Sequence, residues 1–140
     1  MATLTDAVRL LSAVAVDTSC LVAVVLRETD HEIYEICLTQ ASTLHLSAVS
    51  RVELGLVAAS KNVSPRAAQL LEELSVKIVP FDEAQATLAN AAFIQYGKGR
   101  HRAALNFGDC CAYALAKSLT LPLLYKGHDF AQTDITSALA

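Results

Sequence analysis

The sequence has 140 residues, enough for one hydrophobic core and too few for two robust ones, so a single domain carrying a single site is expected. Its composition, 54% hydrophobic and 18% charged, excludes a disordered chain. The longest unbroken apolar stretch, Cys20 to Leu26, falls far short of the roughly 20 residues of a membrane-spanning helix, and a net charge of −3 offers nucleic acid no global attraction.

Leu4, Val8 and Leu11 are spaced for a short helix, and Leu10 to Val16 is mostly apolar, but Asp6 stands where a secretory signal would be basic, so export is not expected. Cys20, Cys37, Cys110 and Cys111 form no CxxC pair and no zinc-like spacing with histidine, which points to reduced, buried thiols in a cytoplasmic protein. Val14-Ala15-Val16 reads as a brief buried strand ending at Asp17. The run Cys20 to Leu26 and the amphipathic Glu32 to Gln40 predict two helices, the second with Asp30 as N-cap. Thr43 to Leu46 predicts a second strand and Val49 to Ser60 a helix. Ser64-Pro65 starts a helix to Leu74, and Val76 to Val79 is a third strand stopped by Pro80. Asp82 caps a helix to Tyr96 that Gly97 ends.

Gly97 to Asn106 reads as an exposed basic loop, and Asp109 opens a helix through Ser118. Leu121 to Tyr125 is the fourth strand, followed by a turn at Lys126 to Asp129 and a possible short strand near Ile135. Strands alternating with helices predict an α/β fold with a mainly parallel sheet covered on both faces.

In such sheets ligands bind outside the carboxyl ends of the strands. Asp17 ends the first strand, Asp129 follows the fourth, and Glu53 and Asp109 are expected in first turns of helices, so four carboxylates can converge at one edge. Convergence is unfavourable for bare like charges and is resolved by a hard divalent cation that takes carboxylate and water oxygens. Each residue also has a local explanation. Asp17 can cap the next helix, and Glu53 fits a Ser-x-x-Glu capping box with Ser50, the favoured reading on local grounds. Asp109 suits a helix dipole, Asp129 a turn, and Asp134 a surface turn.

The strings Val16-Asp17-Thr18-Ser19, Arg51-Val52-Glu53, Gly97-Lys98-Gly99-Arg100-His101, Leu105-Asn106-Phe107-Gly108-Asp109-Cys110, Tyr113-Ala114-Leu115-Ala116 and Lys126-Gly127-His128-Asp129-Phe130 together resemble the PIN-domain ribonuclease toxins called VapC. The resemblance implies a three-layer α/β/α sandwich, RNA cleavage dependent on Mg2+ or Mn2+, a homodimer, and inhibition by a VapB-like antitoxin. It carries the family's acidic set to Asp17, Glu53, Asp109 and Asp129, with Asp17 and Asp109 as the direct metal ligands. Ser19 matches a small hydroxyl that orients a carboxylate or water, and Asn106 and Asp134 match recurrent polar positions. Lys98, Arg100 and Arg102 are candidates to meet phosphates flanking the cut, or simply a solvated loop.

Residues 1–13 then read as an extension and 14–140 as a single PIN domain. Arg102 occupies a position where this subgroup is expected to carry proline. Four rivals remain. A haloacid-dehalogenase-like phosphatase needs an aspartate where Ser19 stands, and a phospho-receiver would use Lys126 but needs an acidic neighbour to Asp17. The others are a catalytically inactive PIN-like RNA-binding or interaction module and a PIN-type nuclease for structured DNA.

Overall fold

The computed structural model describes residues 13–139. The extension expected at residues 1–13, with its helix-compatible stretch, lies outside them apart from Ala13, which already pairs with Thr43. In chain order the elements are β1 (Ala13–Val16), α1 (Thr18–Val25), α2 (His31–Gln40), β2 (Thr43–Ser47), α3 (Ala48–Ser60), α4 (Ser64–Glu73), β3 (Lys77–Val79), α5 (Glu83–Tyr96), α6 (Phe107–Leu119) and β4 (Leu123–Leu124), followed by a 3-10 turn at Phe130–Gln132. The predicted alternation is present. Differences are confined to boundaries: α6 starts two residues before Asp109, β4 is reduced to two residues, and the strand expected near Ile135 is a single parallel bridge from Ser137 to Leu123.

All strand pairs are parallel, in the order β3-β2-β1-β4. The order reverses between β1 and β4, so the loops leaving these strands diverge and open a crevice at the carboxyl edge. Alternation along β1 sorts the core into two sides of the sheet. Val14 and Val16, with Leu44 and Leu46 of β2, pack against α1 to α4. Ala15, with Leu123, packs against α5 and α6, whose Ala112, Ala114, Leu115 and Ala116 are buried. A three-layer α/β/α sandwich results.

Helix ends follow two devices. Asp17, Ser47, Asp82 and Asn106 cap α1, α3, α5 and α6 by accepting from backbone N–H groups. Asp30 holds the N-cap position of α2 as expected but makes no side-chain capping bond, its carboxylate being paired with Lys126 Nζ at 2.9 Å. At the C-termini of α1, α3, α4 and α6 the chain reverses through the left-handed residues Arg27, Asn62, Ser75 and Thr120 rather than through glycine. Each is followed by a Schellman bond, such as Glu28 N–H to Ala23 O at 2.9 Å and Leu121 N–H to Ala116 O at 3.0 Å. Gly97 ends α5 at the expected place with φ −70°, so its role is closeness: a Cβ there would strike the Phe93 carbonyl and ring.

Candidate active site

Asp17 follows β1 directly and is buried. Its Oδ2 accepts from the Ser19 hydroxyl and from Ser19 N–H at 3.1 Å, so it caps α1 and is held in place by the same bonds. Burial raises its pKa and the Glu53 charge adds to this, while the Ser19 hydrogen bonds oppose it.

Glu53 corrects the expectation from local sequence. Ser47, not Ser50, caps α3, so no Ser50–Glu53 capping box forms and Glu53 sits in the second turn rather than the first. Its Oε1 instead accepts from Thr18 Oγ1 at 3.3 Å, across to α1, and the same hydroxyl reaches Ser50 O at 3.2 Å. Glu53 also lies against the backbone of Gly108, where an added Cβ would collide with its carboxylate. Burial and the Asp109 charge raise its pKa, against the Thr18 bond.

Asp109 is the third residue of α6 and forms a reciprocal capping box: Asn106 N–H donates to its Oδ2 at 3.0 Å, and its own N–H donates to Asn106 Oδ1 at 2.9 Å. The predicted dipole role is therefore real and uses only one carboxylate oxygen. Burial, followed by the charges of Asp17 and Asp129, pushes its pKa up to about 6, although the Asn106 N–H pulls the other way. Asp129 is exposed at the start of the 3-10 turn and makes no capping bond. Phe130 behind it is buried, with its ring 5.2 Å from that of Tyr125.

Asp17 and Glu53 are thus both tied to the start of α1, through Ser19 and Thr18, and Glu53 lies against the turn of α6 that carries Asp109, whose pKa the charges of Asp17 and Asp129 help to raise. None of them takes part in a salt bridge among the described residues, whose acid–base pairs all lie elsewhere. An uncompensated anionic edge of hard oxygen donors fits Mg2+ or Mn2+. Among the described residues no group of three or more His, Cys, Asp or Glu side chains is placed so that it could hold a metal ion as it stands.

The remaining predicted residues divide. Ser19 lies in the site, and Asn106 supports Asp109 from the cap. Asp134 belongs elsewhere: it accepts from Tyr113 Oη at 2.7 Å and Lys117 Nζ at 3.0 Å, one and two turns along α6, and so ties the C-terminal segment down. Lys98, Arg100 and Arg102 are exposed on a loop that is pinned rather than slack. Lys98 N–H reaches Leu105 O at 3.0 Å, Ala103 and Leu105 are buried, and His101 Nδ1 accepts from Ala103 N–H at 3.0 Å. Lys126, which a phospho-receiver would keep free, is engaged by Glu28 and Asp30. Thr18 and Gly108 were not singled out from sequence, since their roles rest on contacts made across the fold. The four cysteines are unpaired and buried, as expected.

Beside the acidic edge, between α5 and α6, runs an apolar groove of about 520 Å3 that includes Phe93, Ile94, Phe107 and Cys111 but none of the four carboxylates. Phe107 at 73% exposure, Leu56 at 67% and Ile94 at 65% are the most exposed large apolar side chains, with Val52 and Phe93 nearby in rank.

Fold and acidic edge together describe the class, and comparison with known proteins gives the family. A PIN domain model matches residues 14–135. Ribonuclease VapC28 of Mycobacterium tuberculosis is 42% identical over 128 residues, covering 89% of this chain and 96% of its own. Ribonuclease VapC of Mycolicibacterium smegmatis is 42% identical over 125 residues, covering 87% of this chain and 97% of its own. Among solved structures, VapC20 of M. tuberculosis, described as a sarcin–ricin loop cleaving toxin, matches with a TM-score of 0.73 at 14% identity, over 91% of this chain and 99% of that one. A toxin–antitoxin complex chain from Klebsiella pneumoniae matches with a TM-score of 0.67 at 19% identity, over 86% and 92% of the two chains. The structural likenesses speak to the fold alone. The chain belongs to the PIN-domain family and, within it, to the VapC ribonucleases.

Proposed function

We propose that this protein is a Mg2+-dependent endoribonuclease toxin, with Mn2+ able to replace Mg2+, that hydrolyses RNA phosphodiester bonds and is neutralised by a VapB-like antitoxin. The observation that carries the reading is the gathering of carboxylates at the carboxyl edge of β1: Ser19 holds Asp17, Thr18 reaches Glu53, Glu53 lies against Gly108 beside Asp109, and none of these acids is in an ion pair among the described residues. Its VapC relatives, named as ribonucleases, support the substrate class.

Asp17 and Asp109 would be the direct ligands of the ion, with Glu53 and Asp129 completing the set. When bound, the ion supplies Lewis acidity toward a phosphate oxygen and lowers the pKa of water. The chain's own part is orientation. Ser19 occupies one oxygen of Asp17 and Asn106 N–H one oxygen of Asp109, which leaves the second oxygen of each for the ion. Thr18 fixes Glu53, and Glu53 or Asp129 would accept the proton of the water whose oxygen bonds to phosphorus as the ester P–O bond breaks, the departing oxygen taking a proton from solvent. Lys98, Arg100 and Arg102 meet flanking phosphates, which positions RNA without reading its bases.

Two copies pair through the exposed apolar side chains of α3 and α5, Val52, Leu56, Phe93 and Ile94. The apolar stretch from Cys20 to Gln40 is less suited to pairing, because Cys20, Leu21, Tyr34, Cys37 and Leu38 are buried in the protomer's own core. A monomer in sedimentation equilibrium would remove this part of the reading. No helix among the described residues is long and apolar enough to cross a membrane, and buried free thiols suit the cytoplasm.

The test is RNA cleavage in Mg2+ with and without EDTA, using the parent, Asp17→Asn and Asp109→Asn. The parent cleaves only with free metal and both variants lose at least about a hundredfold, the scale of losing a metal ligand or its orientation. Parent-like cleavage by either variant contradicts the assignment. Co-expression with a VapB-like antitoxin should abolish cleavage, and failure of every such antitoxin tried would remove that partner.

A further inference from the structure

Lys126 leaves β4 at the crevice and is held at both of its ends. Its Nζ donates to Glu28 Oε1 at 2.7 Å and to Asp30 Oδ1 at 2.9 Å, while its backbone N–H donates to Ser19 Oγ at 3.0 Å. Ser19 Oγ in turn donates to Asp17 Oδ2. A hydroxyl has one proton, so accepting from Lys126 N–H leaves that proton to be aimed at Asp17. The acidic half of the arrangement is prepared locally: the left-handed Arg27 and the Glu28 N–H to Ala23 O bond of 2.9 Å turn the chain back after α1, and this brings Glu28 and Asp30 to the β4 exit.

The ion pairs face water, with the Lys126 side chain 32% exposed, so they contribute little to global stability. Their consequence lies in what they hold. The short β4 is in register with β1 at Leu123 and Leu124, its last bond to β1 is Asp17 N–H to Leu124 O at 2.9 Å, and two residues further on the Lys126 N–H bonds the Ser19 side chain. The same segment leads within three residues to Asp129.

Resting on the nuclease reading above, we propose that Lys126, clamped by Glu28 and Asp30, is a positioning residue for Asp17: it fixes the β4 exit so that its N–H orients the Ser19 hydroxyl and one Asp17 oxygen, leaving the other turned to the metal. In support, Lys126 hydrogen bonding lowers the pKa of Asp30, and the two carboxylates raise that of Lys126.

The alternative occupant of the ammonium is an RNA phosphate, and two variants separate the roles. Lys126→Met removes the charge and keeps most of the stem; Glu28→Gln with Asp30→Asn keeps Lys126 and frees it. A positioning role predicts that both lower kcat about tenfold with KM for RNA little changed, and that both weaken Mn2+ binding to the RNA-free protein about 10- to 100-fold, read by electron paramagnetic resonance of the free ion. Lys126→Arg, which can keep both ion pairs, restores both quantities. Parent-like Mn2+ affinity in the Glu28/Asp30 double variant overturns the proposal, as does a Lys126→Met variant that raises KM alone. If Lys126→Met does not fold, the double variant decides. Inactive Asp17→Asn beside parent-like clamp variants sinks only this inference; active Asp17→Asn sinks the nuclease reading itself.

Discussion

At the residue scale, Asp17, Glu53 and Asp109 each have one carboxylate oxygen bonded to the scaffold, whereas the exposed Asp129 makes no capping bond. Asp17 and Asp109 act as helix caps and still present a free oxygen, so the local and functional explanations weighed from sequence are compatible for both. Glu53 differs, because its position is set by Thr18 on one side and by the missing side chain of Gly108 on the other. Gly108→Ala should therefore displace the flexible end of Glu53 while leaving the fold intact. Alanine also favours the helix by up to about 1 kcal/mol over glycine. The expected outcome is an unfolding midpoint at or slightly above the parent's and RNA cleavage reduced about tenfold or more, the scale of moving an outer carboxylate. Parent-like cleavage would show that Glu53 need not stand where it does.

At the element scale, the start of α6 carries much of the site, since one turn supplies Asn106, Gly108 and Asp109. Asn106→Ala removes the side-chain half of the capping box and should cost about 1 kcal/mol of stability in urea denaturation, the usual value of an N-cap. An unchanged midpoint would mean that the cap bond is replaced by water at no cost. Helix starts were legible only in part: Asp17 and Asp82 were read as caps because capping acts within three or four positions, whereas Asn106 and Ser47 were not, and α6 begins two residues before the expected Asp109. Helix ends were less so: Arg27, Asn62, Ser75 and Thr120 adopt the left-handed conformation without being glycine, and tertiary packing decides that choice. The same limit explains Glu53, whose Ser50 partner was credible locally but lost to Ser47 as the cap and to Thr18 across the sheet edge. Lys126 and its carboxylates lie 98 and 96 positions apart, beyond any local pattern. Asp134 was drawn from family resemblance, and only its bonds to Tyr113 and Lys117 reveal a tether.

At the scale of the whole molecule, the strand order matters most. Because β4 joins β1 on the side opposite β2, the loops after β1 and β4 flank one crevice, and α3 and α6 bring their acids to the same edge. Concentrating negative charge there costs stability when no cation is bound. With Asp109 pushed up to about 6 and an unfolded aspartate near 3.9, the folded chain binds more protons between those values. The Asp109 contribution to metal-free stability should therefore fall as pH rises from about 4 to about 6, read by calorimetry in EDTA as the difference in melting temperature between the parent and Asp109→Asn across that range. Asp109→Asn should flatten that dependence, and an identical slope in parent and variant would place its origin elsewhere. Saturating Mg2+ should raise the melting temperature of the parent at pH 7 and that of Asp109→Asn less, because an ion bound only by the folded state stabilises it.

The most direct measurement is anomalous diffraction from crystals of the protein soaked in Mn2+. The account predicts a peak at the carboxyl edge of β1, within coordination distance of the free oxygens of Asp17 and Asp109 and near Glu53 and Asp129. A peak located away from these side chains, or none at full soak concentration, would contradict it.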